Sequence, residues 1–286
     1  MLKDVMKRQL ARRDAWTLRR RLSGVELPEA LAAVAGALST ALETIFEPVP
    51  DWARPIEAIR KRCRGSSATL DIVDFGAGPP DATRTWDEMA AGTRSSITLD
   101  QACRASKPYF WSLFLHSLAG LTAARTVVEL GTCLGLSASY VATAGAQRVV
   151  TLEGAEPLAA LAAEHFLELG LDTIEVVEGP FQATFARVLE RSPPIDLLFV
   201  DGHHDEEATV RYFEQARFVL APDALVVFDD IDWSDGMRRA RRAVTEAEGV
   251  EASVALGDLG VVALGNGARE TTRLQVPARM VRYSQP

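Results

Sequence analysis

Cysteine is scarce in this chain: Cys63, Cys103 and Cys133 are the three in 286 residues, and none stands at disulfide or metal-ligand spacing from another. A disulfide framework and a cysteine-bound zinc site are excluded, and the usage fits a reducing cytoplasm. Basic residues are in deficit as well. The 31 Lys and Arg against 39 Asp and Glu leave a net charge of −8, which argues against nucleic acid as a partner, because such binding draws on a basic surface. Long apolar runs are missing. The stretch Leu31 to Leu38 lies between Glu29 and Glu43; it is too short for a bilayer and too far from the start for an ordinary signal peptide, so it predicts a packed helix and no membrane span. The sequence also lacks a Gly-x-Gly-x-x-Gly turn between its apolar strand and helix patterns, which tells against a nicotinamide dinucleotide.

What is present is a hydrophobic content of 48%, enough for a full α/β core with about 100 residues left for an additional region. Val127-Val128-Glu129-Leu130-Gly131-Thr132-Cys133-Leu134-Gly135-Leu136-Ser137 reads as a buried strand, a glycine turn and a helix. Glycine at 131 and 135 permits a sharp turn and close approach of a ligand, and the helix that follows aims free N–H groups at the same crevice. Cys133 occupies the place of the middle dinucleotide glycine. Glu129, two residues before the turn, suits a ligand carrying an ammonium group.

Further apolar runs follow in order. Val149 to Leu152 ends in Glu153-Gly154, where a carboxylate about 20 residues past the glycines can accept hydrogen bonds from ribose hydroxyls. Ile174 to Glu178 stops at Gly179-Pro180-Phe181, where Phe181 could stack on an adenine or pack in the core. Leu197 to Val200 is followed by Asp201-Gly202-His203-His204, and Leu225 to Phe228 by Asp229-Asp230-Ile231-Asp232-Trp233. Continuous apolar runs with polar ends predict parallel strands covered on both faces, and ligands bind at the carboxyl edge of such doubly wound sheets.

These residues resemble the class I S-adenosylmethionine-dependent methyltransferases, and within them the divalent-cation-dependent O-methyltransferases of the catechol, caffeoyl-CoA and antibiotic-sugar types. The likeness covers roughly residues 105 to 265. It implies a Rossmann-like seven-stranded sheet of order 3-2-1-4-5-7-6 with the last strand antiparallel. It also implies S-adenosylmethionine held by Glu129, Gly131, Thr132, Gly135, Ser137, Glu153, Gly154, Gly179, Phe181 and Asp201, and Mg²⁺ or Mn²⁺ held by Asp201, Asp229 and Asp230. His204, three residues past Asp201, matches the position of the general base. Asp230 stands where catechol-type members carry Asn, and no substrate lid of the family is matched.

The chemistry of the side chains leads the same way. Three converging carboxylates would repel one another, and oxygen-only ligands suit a hard cation such as Mg²⁺. A cation lowers the pKa of a substrate hydroxyl, and an imidazole with ordinary pKa near 6.5 suits removal of its proton. The expectation is metal-assisted O-methylation of a small-molecule hydroxyl, with His204 and Asp201 in the catalytic set. A metal-independent methyltransferase on another acceptor and a non-catalytic Rossmann-fold binding protein are the alternatives. Enzymes that methylate bases or protein nitrogens carry an Asn-Pro-Pro-Tyr-like turn after the fourth strand, and this chain has Asp201-Gly202-His203-His204 there.

The organisation expected is a mainly helical region over 1–104, a methyltransferase domain over 105–266 and a tail over 267–286 with no assigned structure. Eight Lys or Arg in the first 22 residues predict a basic helix packed on its own protein or on a dimer partner, and the aromatic helix from Lys107 to Leu118 leaves a homodimer open. Ile72-Val73-Asp74-Phe75-Gly76-Ala77-Gly78-Pro79-Pro80 looks like a rival cofactor loop, but its prolines supply no N–H donors. It reads as a turn in the N-terminal region, near the substrate entrance. His203 is read as structural or solvent-facing, and His116 and His165 as packing or surface residues.

Overall fold

The computed structural model describes residues 2–78, 84–265, 267 and 269–283; Pro79 and Pro80 of the rival loop, and part of the tail, lie outside them. The N-terminal region forms α1 (Leu2–Leu22), α2 (Ala32–Thr44), α3 (Arg54–Cys63), β1 (Thr69–Asp74), α4 (Trp86–Ala91), β2 (Thr93–Thr98) and α5 (Leu99–Ala105). Strands β1 and β2 pair antiparallel as a separate two-stranded sheet. The aromatic helix α6 (Tyr109–Leu121) leads into β3 (Thr126–Leu130), α7 (Leu136–Thr143), β4 (Arg148–Glu153), α8 (Glu156–Leu169), β5 (Ile174–Glu178) and α9 (Phe181–Arg191). The chain continues through β6 (Ile195–Val200), α10 (Glu206–Ala216), β7 (Leu220–Phe228), α11 (Asp235–Glu246), β8 (Val250–Ala255), β9 (Gly260–Leu264), β10 (Glu270–Arg273) and α12 (Ala278–Tyr283).

The main sheet runs β10-β8-β9-β7-β6-β3-β4-β5 among the described residues. Counted from β3, seven of its strands follow the expected order 3-2-1-4-5-7-6, with β9 antiparallel to both neighbours. The core residues Val127, Val128, Val149, Val150, Leu197, Leu198, Val226 and Val227 are at most 1% exposed, as strands sandwiched by helices require. Because β3, β4, β6 and β7 are parallel and in register, Leu130, Glu153, Val200 and Phe228 end at one edge.

Two expectations are corrected. The sheet has an eighth strand, and the tail is structured. Strand β10 pairs parallel to β8, and Ser253 Oγ lies 3.1 Å from Thr271 Oγ1 across that pair. Its sequence, Glu-Thr-Thr-Arg, has no apolar periodicity; it is a strand because the free edge of β8 offers backbone partners. Helix α12 packs on α1, where Arg279 forms a bidentate pair with Asp14 at 2.8 Å. The basic N-terminal helix therefore packs on its own chain.

Helix α6 packs against α2 and α7 through an almost wholly buried surface. A buried ionic group ties α3 to the head of α6 and to α7. Arg60, 2% exposed, donates to both oxygens of Glu57 at 2.9 and 3.0 Å, to the Lys107 carbonyl at 2.8 Å and to Ser112 Oγ at 3.2 Å. Tyr140 donates to Glu57 at 2.8 Å. With every partner in place the charges are compensated; removing one leaves a buried carboxylate unpaired. Arg60→Met should therefore destabilise the fold by about 3–5 kcal/mol, read as a fall in the urea midpoint. An unchanged midpoint would mean that Glu57 finds another partner.

Candidate active site

The glycine turn after β3 forms as expected. Gly131 takes φ 106, and a Cβ there would fall 2.1 Å from the Asp201 carbonyl oxygen, so only glycine lets the end of β3 approach the end of β6 this closely. Gly135, in the left-handed region at φ 75, caps the start of α7. Glu153 closes the turn from the next strand: Cys133 N–H donates to its Oε2 at 2.8 Å and Ala155 N–H to its Oε1 at 2.9 Å. It is a positioned carboxylate and not a freely solvated one, and burial raises its pKa.

A cleft of about 270 Å³ opens at this edge, lined by Gly131, Thr132, Cys133, Ser137, Glu153, Gly154, Phe181, Asp201, His203 and His204, and by Phe75 and Lys107. Of the other residues expected to contact the cofactor, Glu129 lies in the wall behind this surface, Gly135 caps the helix, and Gly179 lines a neighbouring cavity. Glu129 is 2% exposed; Thr151 donates to its Oε2 at 2.6 Å, while Oε1 has no hydrogen-bond partner. Burial pushes its carboxyl up to about 7 against the opposing effects of the Ser137 and Thr151 hydroxyls. An unpartnered, buried carboxylate oxygen is a fitting counter-group for an ammonium. Phe181 packs over Gly202, with its ring 5.0 Å from that of His203, and so serves the core as well as the cleft.

At one end of the cleft, Asp201 after β6 and Asp229 after β7 converge on Lys107. The lysine ammonium stands 3.2 Å from Asp201 Oδ1 and hydrogen-bonds Asp229 Oδ2. Burial would depress the Lys107 pKa, but the two carboxylates outweigh it and raise it. Burial likewise works to raise Asp229, but Lys107, His204 and hydrogen bonding with Asp201 together outweigh it and hold the carboxyl below its ordinary value. Asp201 moves up through burial, with Asp229 adding to the effect. Lys107 was not among the residues singled out from sequence. Its signal was a lone charge directly before Pro108, at the head of an otherwise apolar aromatic helix.

The expected trio of Asp201, Asp229 and Asp230 is not the set that converges. The ligand atoms of Asp201, His204 and Asp229 lie within 4.8 Å of one another. Asp230 stands to one side, with Oδ2 3.8 Å from His204 Nε2, and His204 Nε2 is 3.9 Å from Asp201 Oδ1. Asp230 takes φ 52, in the left-handed region of the backbone. Burial, then Asp229, pushes the Asp230 carboxyl up to about 7. Three acidic groups against one ammonium leave negative charge that a hard divalent cation would neutralise, so the donor chemistry fits such an ion. Neither aspartate is spent on capping, since Ser234 caps α11 by accepting from Met237 N–H at 3.0 Å.

Burial lowers the pKa of His204, which leaves a neutral imidazole at neutral pH. His203 is structural: it is 4% exposed, meets Tyr212 Oη at 2.7 Å through Nδ1, and burial drives it down to about 4. His116 and His165 meet the carbonyls of Tyr140 and Leu134, each at 3.0 Å, and belong to the packing. Trp233 is 46% exposed and takes no part in the core.

Comparison with known proteins bears on this edge directly. Residues 128–231 match a family model described as a methyltransferase domain. A catechol O-methyltransferase of Mycobacterium tuberculosis is 38% identical over 169 residues, 56% of this chain and 75% of that protein. A catechol O-methyltransferase of Niastella koreensis is 30% identical over 122 residues, 41% of this chain and 54% of that protein. Among solved structures, the O-methyltransferase TomG from Streptomyces achromogenes, in complex with S-adenosylmethionine, superposes with a TM-score of 0.50 at 27% identity. That match covers 58% of this chain and 87% of TomG.

The raised Glu129 pKa has a sign that can be tested. An acid titrating near 7 when folded and near 4.3 when unfolded weakens the fold as pH rises through that interval. Glu129→Gln should match the parent protein near pH 4 and exceed it at pH 8 by roughly 3 kcal/mol, measured by urea unfolding without ligand. A constant difference across pH would contradict the assignment.

Proposed function

The chain belongs to the class I S-adenosylmethionine-dependent O-methyltransferases of the catechol and caffeoyl-CoA type, and on that premise we propose that it methylates a hydroxyl oxygen of a small molecule, with His204 as general base. The observation that carries this reading is the cleft itself. One wall holds Glu153 on the Cys133 and Ala155 N–H groups, and another presents Asp201 and His204. Both relatives described above are named for catechols, which makes a catechol the first acceptor to assay.

S-adenosylmethionine supplies an electrophilic methyl group: the acceptor oxygen bonds to the methyl carbon as the methyl–sulfur bond breaks and its electron pair stays on sulfur. The residues of this chain bind and orient. Glu153 accepts from ribose hydroxyls, and Glu129, behind Thr132, faces the amino-acid end with its unpartnered oxygen. His204, neutral through burial, takes the acceptor's hydroxyl proton on Nε2. A divalent cation would be held by Asp201 and Asp229, with Asp230 beside them, and would draw the acceptor hydroxyl toward its deprotonated form. Lys107 supports a second reading, in which its ammonium already supplies the positive charge and no ion is needed.

Titration calorimetry with S-adenosylhomocysteine tests the first claim, and absence of heat from intact protein would remove it. His204→Ala should bind that ligand as the parent does while turnover of a catechol falls by about 10²- to 10⁴-fold; unchanged turnover would take the base role from His204. Chelator separates the two cation readings. Activity lost in EDTA and restored by Mg²⁺ supports the ion, and indifference to EDTA supports Lys107.

A further inference from the structure

The turn after β1 reaches the cofactor cleft from outside the methyltransferase sheet. It is a braced turn. Gly76 N–H donates to Asp74 Oδ1 at 2.9 Å, and Arg84 donates to Asp74 Oδ2 at 3.1 Å and to the Gly76 carbonyl at 2.7 Å. It is also tied to the catalytic loop, because Ala77 N–H donates to the His203 carbonyl at 3.1 Å. Between these anchors sits Phe75, half-buried, with its ring held between two glycines. A Cβ on Gly154 would fall 2.5 Å from Phe75 Cδ2, and one on Gly92 would fall 2.8 Å from Phe75 Cε1.

Gly154 directly follows Glu153, the carboxylate placed to meet the ribose. At that position the cleft has no side chain of its own, and at the next strand end Gly179 supplies none either. Phe181 is committed to Gly202 and His203. The Phe75 ring fills the space a side chain at 154 would occupy, and it borders both the 270 Å³ cleft and a neighbouring cavity that includes Gly154, Gly179 and Pro180. A flat purine next to the ribose needs an apolar face to lie on, and at this end of the cleft Phe75 offers one.

We propose that Phe75, delivered by the turn after β1 of the N-terminal β1–β2 pair, is the aromatic wall for the adenine end of the cofactor cleft, taking the place of the side chain that Gly154 lacks. The N-terminal region then belongs to the cofactor site and is not solely a substrate entrance. This rests on the S-adenosylmethionine reading above.

The test is calorimetric titration of S-adenosylhomocysteine into the full-length parent protein, Phe75→Ala, Phe75→Leu and Phe75→Tyr, with apo melting temperatures measured alongside. Base–aromatic stacking predicts that Phe75→Ala weakens binding by about tenfold or more, that Phe75→Tyr stays within about threefold, and that Phe75→Leu falls between. Should Phe75→Ala fail to fold, the Leu and Tyr variants carry the same comparison. Parent-like binding by a folded Ala or Leu variant overturns the role of Phe75 and leaves the cofactor reading intact. No binding by the parent overturns both.

Discussion

Lys107 places one positive charge between the carboxylates of half-buried Asp201 and buried Asp229, which arrive from different strands, and the arrangement of the whole edge follows from that contact. Asp201 and Asp229 could not both be ionised so close together in a low-dielectric setting without a cation between them. The lysine is held from behind. Its carbonyl accepts from Arg60, Arg60 is paired with Glu57, and Glu57 accepts from Tyr140. A continuous line of compensated charge thus runs from α3, across the head of α6, to the ends of β6 and β7. The N-terminal helices are the support on which the site's electrostatics stand.

The backbone at the same edge is held in uncommon conformations. Cys133, His203, His204 and Asp230 are non-glycine residues at φ 50, 64, 44 and 52. Such residues persist where surrounding contacts over-determine them. Here those contacts are the Cys133 N–H on Glu153, the Tyr212 hydroxyl on His203 and the Ala77 N–H on the His203 carbonyl.

Much of this was legible in the residue order. Apolar runs of strand length with acidic ends located β3 to β7, and the two glycines with Glu153 located the turn, because these features depend on local chemistry and on strand periodicity. Strand β10 was not legible, since Glu270 to Arg273 has no pattern of its own and is ordered by its neighbour's free edge. Lys107 and Phe75 were hidden by distance: 122 positions separate Lys107 from Asp229, and nothing in the residues around Phe75 points to Gly154.

The sequence by itself determined the strands β3 to β7, the glycine turn after β3 and the acidic character of the carboxyl edge, because each depends on short-range pattern and on the side-chain alternatives available at a turn; the order of the sheet came from the family resemblance. Tertiary structure alone decided which charges meet and which stand apart, since that depends on where elements far apart in the chain come to rest and on backbone angles that no residue type dictates. It brought Lys107 between the carboxylates, set Asp230 aside, and laid the ring of Phe75 over a glycine.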